Sequence, residues 1–322
     1  MTGRPGAETP AVVRAFHAGL LQRRAAEAIA RLGECDLCPR RCAVDRTAVA
    51  AGRCRTGRRA RVASFGPHFG EEDPLVGRHG SGTVFFAGCN LNCAFCQNCD
   101  ISQGRGAGRE ASAEQLASVF LAVQGDGCHN LNLVTPTHVL AQILEALALA
   151  CARGLALPVL WNCGGYESPE ALRLLDGIVD IYMPDLKFVD AAPARDLCDA
   201  PDYPEVARAA IGEMHRQVGE LVVDDEGVAR RGLLVRHLVM PGGLAGTAAA
   251  MRFLAGLSPR TYVNVMGQYR PEHRAGAHPA IDRCPSAAEL EDAHAAARAA
   301  GLERLDGEGP LRRRRFVLVR EP

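Results

Sequence analysis

Gly88-Cys89-Asn90-Leu91-Asn92-Cys93-Ala94-Phe95-Cys96-Gln97-Asn98 follows directly on the apolar run Thr83-Val84-Phe85-Phe86-Ala87. The run reads as a buried strand, and the C-x3-C-x2-C spacing as a short loop at its end that wraps three thiolates around one soft centre. Iron-sulfur clusters, zinc and Cu(I) all accept such ligands. Structural zinc and electron-transfer clusters take four protein ligands, whereas a catalytic metal keeps one position open for the reacting molecule. Three thiols in the loop therefore point to a reactive centre. The competing reading is a closed site whose fourth ligand is Cys99 or a distant cysteine.

The string C-x3-C-x-aromatic-C after the first strand of a βα series resembles the signature of radical S-adenosylmethionine (SAM) enzymes, and most closely that of PflX-type proteins related to pyruvate formate-lyase activating enzyme. The resemblance runs from Cys35 to about Arg283. It implies a [4Fe-4S] cluster on Cys89, Cys93 and Cys96, with SAM chelating the fourth iron and Phe95 beside the adenine. It also implies reductive cleavage of SAM to a 5′-deoxyadenosyl radical that abstracts hydrogen from a protein or peptide substrate. The electron donor of such enzymes is of flavodoxin or ferredoxin type. The class competing with this one is a non-catalytic zinc or iron-sulfur protein that carries electrons or scaffolds a partner.

Length and charge agree with an enzyme built on one large core. The 322 residues suit a single α/β domain with an extension, and the formal charge of zero gives no bulk attraction to nucleic acid or membrane. Thirteen cysteines, an odd number in tight clusters, read as metal ligation in a reducing cytoplasm rather than as a disulfide framework. The N-terminal apolar residues are interrupted by Arg14, Arg23 and Arg24, which is a helical stripe and not a signal peptide. The long apolar stretch over 139–161 contains Glu145, Arg153, Gly154 and Pro158, so it reads as helix then strand, not a membrane span.

Along the chain, residues 1–10 are expected to be disordered and 11–32 to form one amphipathic helix. Cys35, Cys38, Cys42 and Cys54 follow with C-x2-C-x3-C-x11-C spacing among Pro and Gly, a second metal-site candidate. Structural zinc suits four thiolates without an open position, and an auxiliary [4Fe-4S] cluster uses the same ligands. The basic residues from Arg53 to Arg61 lack interleaved aromatics and read as solvated surface.

From Val62 the pattern becomes strand then helix, repeated. A capping box at Ser112 opens a helix to about 123; a strand over 131–134, a helix over 137–151 and a strand over 158–161 follow. Ser168-Pro169 opens another helix, 178–183 is a strand, 205–218 a helix, and 221–239 a hairpin turning at Asp224-Asp225-Glu226-Gly227. A helix near 246–255, a strand over 262–265 and a helix over 286–300 complete the series. Alternation of this kind predicts a parallel sheet, doubly wound or curled. The resemblance implies the curled form, a partial (β/α)6 radical SAM barrel. The expected organisation is a helix and four-Cys extension over 1–61, the barrel over 62–305 and a tail over 306–322.

Ligands bind at the carboxyl ends of such strands, and those ends are polar here. They carry Thr135 and His138, Asn162 and Tyr166, Asp185 and Lys187, His237, and Gln268 and Arg270. His138, Tyr166, His237, Gln268 and Arg270 are the candidates for a substrate pocket, although either histidine also suits a satisfied core or helix-cap position. Of the 37 Lys plus Arg residues, only Lys187 is lysine. Arg replaces Lys poorly where a compact ammonium meets a carboxylate at close range. Met183-Pro184-Asp185-Leu186-Lys187 resembles the M-x-D-L-K segment of the activating enzymes, which implies SAM contacts for Asp185 and Lys187, while Asn162 stands where those enzymes have aspartate. Thr135-Pro136-Thr137-His138 replaces their G-G-E-P, so Thr135 is the residue left to meet the SAM amino group.

Overall fold

The computed structural model describes residues 9–104 and 106–307. Of the disorder expected over 1–10 and the tail expected over 306–322, residues 1–8 and 308–322 lie outside the described residues, while Pro10 is placed as the N-cap of the first helix and Asp306 N donates to Val263 O at 2.9 Å. The single helix expected over 11–32 is two, α1 (Ala11–His17) and α2 (Leu20–Ala30). Gly19 separates them with a φ of +68°, a left-handed turn that a residue without Cβ adopts at little cost. α2 buries Leu21, Ala25 and Ala28.

β1 (Ala60–His68) runs antiparallel to β2 (Ser81–Phe86), with only the single turn α3 (Asp73–Val76) between them. The strand-helix repeat therefore starts at β2 and not at Val62, because a connection of this length joins antiparallel neighbours and leaves no crossover helix. The triad loop leads to α4 (Cys99–Ser102) and β3 (Arg109–Ala111), which pairs with the outer edge of β1. The expected alternation then holds: α5 (Ala113–Gly125) opens on the complete Ser112/Gln115 capping box, and β4 (Leu131–Val134) precedes a 3-10 turn and α6 (Leu140–Ala152), against which α2 packs. β5 (Val159–Cys163), α7 (Pro169–Leu172, capped by Ser168) and β6 (Ile181–Pro184) follow. α8 (Ala191–Cys198) is a helix that the sequence reading did not include, and α9 (Tyr203–Val218) is the one expected over 205–218. β7 (Val222–Val223) and β8 (Ala229–Leu238) form the predicted hairpin, with Asp224 Oδ1 accepting from Val228 N at 2.9 Å. α10 (Thr247–Leu257), β9 (Tyr262–Met266), α11 (Ala287–Ala299) and the short β10 (Arg304–Leu305) end the series.

The strand order is β10-β9-β8-β6-β5-β4-β2-β1-β3, parallel from β2 through β10, and the two edges of the sheet do not meet. The result is an open α/β barrel whose six main parallel strands are those read from the sequence. Side-chain alternation sorts the strands into two cores. Leu133, Trp161, Tyr182 and Leu233 are in register and face the helices. Leu160, Ile181, Met183 and Leu234 face inward, where Leu75 of α3 plugs the barrel. No helix among the described residues is long and apolar enough to cross a membrane.

Candidate active site

β2 ends at Phe86, and its inward-turning continuation places three thiols at the carboxyl end of the sheet. The loop is held from several sides: Ala94 N donates to Leu197 O at 2.7 Å, Arg274 N donates to Ala94 O at 2.8 Å, and Arg274 Nη2 donates to Asn92 O at 3.0 Å. Each thiol also has its own non-ligand neighbour. Leu91 N donates to Cys89 Sγ at 3.4 Å, Cys198 Sγ lies 3.3 Å from Cys93 Sγ as a donor, and Ser102 Oγ lies 3.1 Å from Cys96 Sγ. Burial pushes the Cys89 thiol up to about 12, helped by the adjacent Cys93. For Cys93 the hydrogen bond from Cys198 outweighs burial and brings its thiol below the ordinary range, while burial and this same bond raise Cys198. Cys99, at the start of α4, contacts Asp100 at 3.8 Å and is not part of this group.

Lys187 reaches the same place from the end of β6. Its Nζ meets Asp185 Oδ2 at 2.5 Å, and its positive charge acts on all three loop thiols. Asp185 Oδ1 accepts from Arg236 Nε at 2.8 Å, and Arg236 Nη2 donates to Asn162 Oδ1 at 2.8 Å. Burial alone would raise the Asp185 carboxyl, but the two cations hold it below its usual range. Arg236 is the residue that sequence reading missed by one position. It is in register with Asn264 and bridges to Asp185 on the inner face, so the pleat sends its neighbour His237 to the opposite face. There His237 bonds Leu186 O at 2.7 Å and Thr247 Oγ1 at 3.0 Å, so the structure corrects its assignment to a substrate pocket.

The other predicted residues divide as well. Phe95 is buried edge-on against Phe188, with ring centroids 5.9 Å apart, and lies 6.1 Å from Tyr269. Thr135 stands half-buried at its strand end with a φ of +58°, a conformation that costs a β-branched residue about 1–3 kcal/mol. Tyr166 is committed to structural contacts: its hydroxyl is held by both oxygens of Asp202, at 2.8 and 2.9 Å, and Arg40 covers its ring. His138 is buried with Nε2 2.9 Å from Ala87 O, and it lines the cleft of the N-terminal thiols instead of the inner face. Gln268 accepts through its carbonyl from Gln97 Nε2 at 3.4 Å, and exposed Arg270 pairs with Glu272 at 2.6 Å. Cys198, Ser102, Arg236 and Arg274 gave no signal in the sequence beyond their position near a strand or helix end.

The sequence model of the Radical SAM superfamily matches residues 83–223, from inside β2 through β7. The uncharacterized protein MJ0674 of Methanocaldococcus jannaschii is 33% identical over 268 residues, which cover 80% of this chain and 72% of that protein. Among solved structures, HydG, a maturase of the [FeFe]-hydrogenase, is similar at 12% identity with a TM-score of 0.46, over 91% of this chain; the chain spans 66% of the HydG chain. One residue in three is shared with the archaeal protein over most of both lengths, and the superfamily's pattern begins on the strand that carries the thiol loop: the chain belongs to the radical SAM superfamily.

Proposed function

We propose that Cys89, Cys93 and Cys96 hold a [4Fe-4S] cluster, that SAM binds its open iron, and that the chain abstracts hydrogen from a protein or peptide substrate in the manner of an activating enzyme. The donor set fits: three soft thiols share one loop, each with a non-ligand hydrogen-bond partner at its sulfur. When bound, the cluster supplies the electron that splits SAM into methionine and a 5′-deoxyadenosyl radical. The observation that carries the reading is the convergence of the chain's one lysine with these thiols, although 91 residues separate Lys187 from Cys96 (187 − 96).

The side chains divide the work. Lys187 offers an ammonium to the SAM carboxylate, and Asp185, pinned by Arg236, fixes where that ammonium stands. Asn162 holds the far end of Arg236, a neutral role that needs no cation site. Phe95, clamped by Phe188 and Tyr269, forms an aromatic wall for the adenine. A flavodoxin- or ferredoxin-type donor supplies the electron, and the free thiols suit a reducing cytoplasm.

Anoxic incubation of cluster-loaded protein with SAM and dithionite tests this reading; 5′-deoxyadenosine and methionine are expected in equal amounts. One observation favours a second reading, a closed electron-transfer centre: Cys198 is a fourth thiol beside the loop. Thiols on one tetrahedral metal at about 2.3 Å stand about 3.8 Å apart, so a 3.3 Å contact suits a hydrogen bond better than shared ligation. Loss of iron in Cys198→Ala, together with no SAM cleavage by wild type, would establish the second reading.

A further inference from the structure

Between Asp45 and Glu71 the chain carries Arg46, Arg53, Arg55, Arg58, Arg59 and Arg61 and no acidic residue, although its overall formal charge is zero. Folding commits three of these arginines to other contacts. Arg46 is buried with its donors on Thr56 O, His138 O and Cys35 Sγ, Arg53 pairs with Asp199, and Arg58 meets both oxygens of Glu145 at 2.7 and 2.9 Å. Arg55 and Arg61 bond carbonyls instead: Arg55 Nη2 donates to Gln103 O at 3.1 Å and Arg61 Nη2 to Gly108 O at 3.3 Å. Glu110 stands opposite Arg61 in the β1–β3 ladder, and exposed Arg59 and Arg109 flank that pair where the two strands begin, so positive charge prevails on this face.

Arg55 and Arg61 line one cleft of about 230 Å³ together with Cys54, Gly88 and Ser102, and among the described residues no acidic side chain lines it. Cys54 is shared with the adjoining cleft of Cys35, Cys38 and Cys42. The cationic cleft lies against the triad. Ser102 reaches Cys96 Sγ at 3.1 Å, Gly88 is bonded to Cys89, and Gln103, which holds Arg55, donates through Nε2 to Cys93 O at 3.0 Å. Gly88 has a φ of +89°, and a Cβ there would stand 3.0 Å from Cys54 O, so no side chain fits between the end of β2 and this wall. One residue thus separates each triad cysteine from the cleft or from the arginine at its mouth.

We propose that this cleft is the docking site of an acidic protein that delivers single electrons to the triad's cluster, its carboxylates meeting Arg55 and Arg61 and its redox centre facing Ser102. The inference rests on the cluster assigned to Cys89, Cys93 and Cys96 above. Electron-transfer contacts are small, so they draw on opposite charge more than on buried area, and a complementary face speeds encounter by about 10- to 1000-fold at low salt.

The test compares wild type, Arg55→Glu/Arg61→Glu and Arg55→Lys/Arg61→Lys, each cluster-loaded under anoxic conditions, in stopped-flow bleaching of the cluster absorbance. Two reductants are used: a reduced acidic flavodoxin, and reduced methyl viologen, a small cation that needs no docking surface. With flavodoxin at low salt the glutamate variant should be slowed about tenfold or more, while the lysine variant stays within about twofold of wild type. Added salt should slow wild type and leave the glutamate variant unchanged. With methyl viologen all three should be reduced at the same rate. Where the double glutamate variant does not fold, exposed Arg55→Glu alone serves, with about threefold slowing expected. Wild-type rates with flavodoxin in the glutamate variants would overturn the docking site. Titration calorimetry of flavodoxin binding needs no cluster, and equal affinity in wild type and the glutamate variants would overturn the site as well. No bleaching of wild type by methyl viologen would overturn the cluster reading instead, so the two fail separately.

Discussion

Cys198, the last residue of α8, places its Sγ 3.3 Å from Cys93 Sγ, across 105 residues of sequence. Ser102 stands in the same relation to Cys96 at 3.1 Å. Hydrogen bonds to ligating sulfurs favour the more negative, reduced state of an iron-sulfur centre, and so raise its potential. Cys198→Ala and Ser102→Ala should each make the cluster harder to reduce, by on the order of tenfold in the reduction equilibrium, or about 59 mV for one electron. Cys198→Ser keeps a donor and should stay near wild type. Spectroelectrochemical titration at unchanged iron content is the measurement; a wild-type midpoint in both alanine variants would show that these contacts only fill space.

Substituting Cys89, Cys93 or Cys96 with Ala should abolish the triad's share of the iron and all SAM cleavage, whereas Cys99→Ala should leave both nearly intact, since Cys99 points to Asp100. Iron analysis and chromatographic assay of 5′-deoxyadenosine check this. Loss of cluster in Cys99→Ala would place the fourth ligand in the loop and remove the open position.

At Lys187 two conservative-looking changes should separate. Lys187→Arg keeps the charge but spreads it over a fork that does not fit the 2.5 Å pairing with Asp185. SAM binding by isothermal titration should weaken in Lys187→Arg and more in Lys187→Met, the latter by about 1.5–3 kcal/mol for a lost charge-assisted hydrogen bond. Iron content should not change in either. Wild-type affinity in both variants would mean that the ammonium serves Asp185 alone.

His237 gives a pH dependence with a definite sign. Burial lowers its pKa to about 4 from an ordinary value of 6.5, against the opposing effects of Leu186 O and Asp185. As pH falls below 6.5 the unfolded chain takes up a proton that the folded chain refuses until about 4, so stability declines across that window. The slope should approach about 1.4 kcal/mol per pH unit, for a total near 3 kcal/mol. Glu167, raised by burial to about 8, acts in the opposite sense, so the comparison must be wild type against His237→Gln. Urea unfolding at pH 7 and pH 5 should show stability falling less, or rising more, on acidification in the variant than in wild type. Equal pH dependence would mean that His237 titrates alike in the folded and unfolded chain.

The six parallel strands, the capping box at Ser112 and the hairpin at Asp224 were legible because each is written in adjacent residues: a short apolar run, a serine three positions before Gln, a turn rich in Asp and Gly. The split between α1 and α2 was missed because an isolated glycine in a periodic stretch reads as a tolerated defect, while its positive φ is visible only in the fold. β1 was misjudged because direction within a sheet is a property of pairing, which a strand's own residues do not encode.

By itself the sequence determined the thiol spacing after β2, the solitary lysine after β6 and the alternation that builds the barrel, since ligand spacing and hydrophobic period are local and survive any packing of the helices. Tertiary structure decided which of two neighbours, Arg236 or His237, faces the inner side, because one step along a pleated strand reverses the face. It also decided that Cys198 meets Cys93 and that Arg55 and Arg61 share a cleft with Ser102, contacts produced by the closure of loops whose ends lie far apart in the chain and are brought together only when the strands pair.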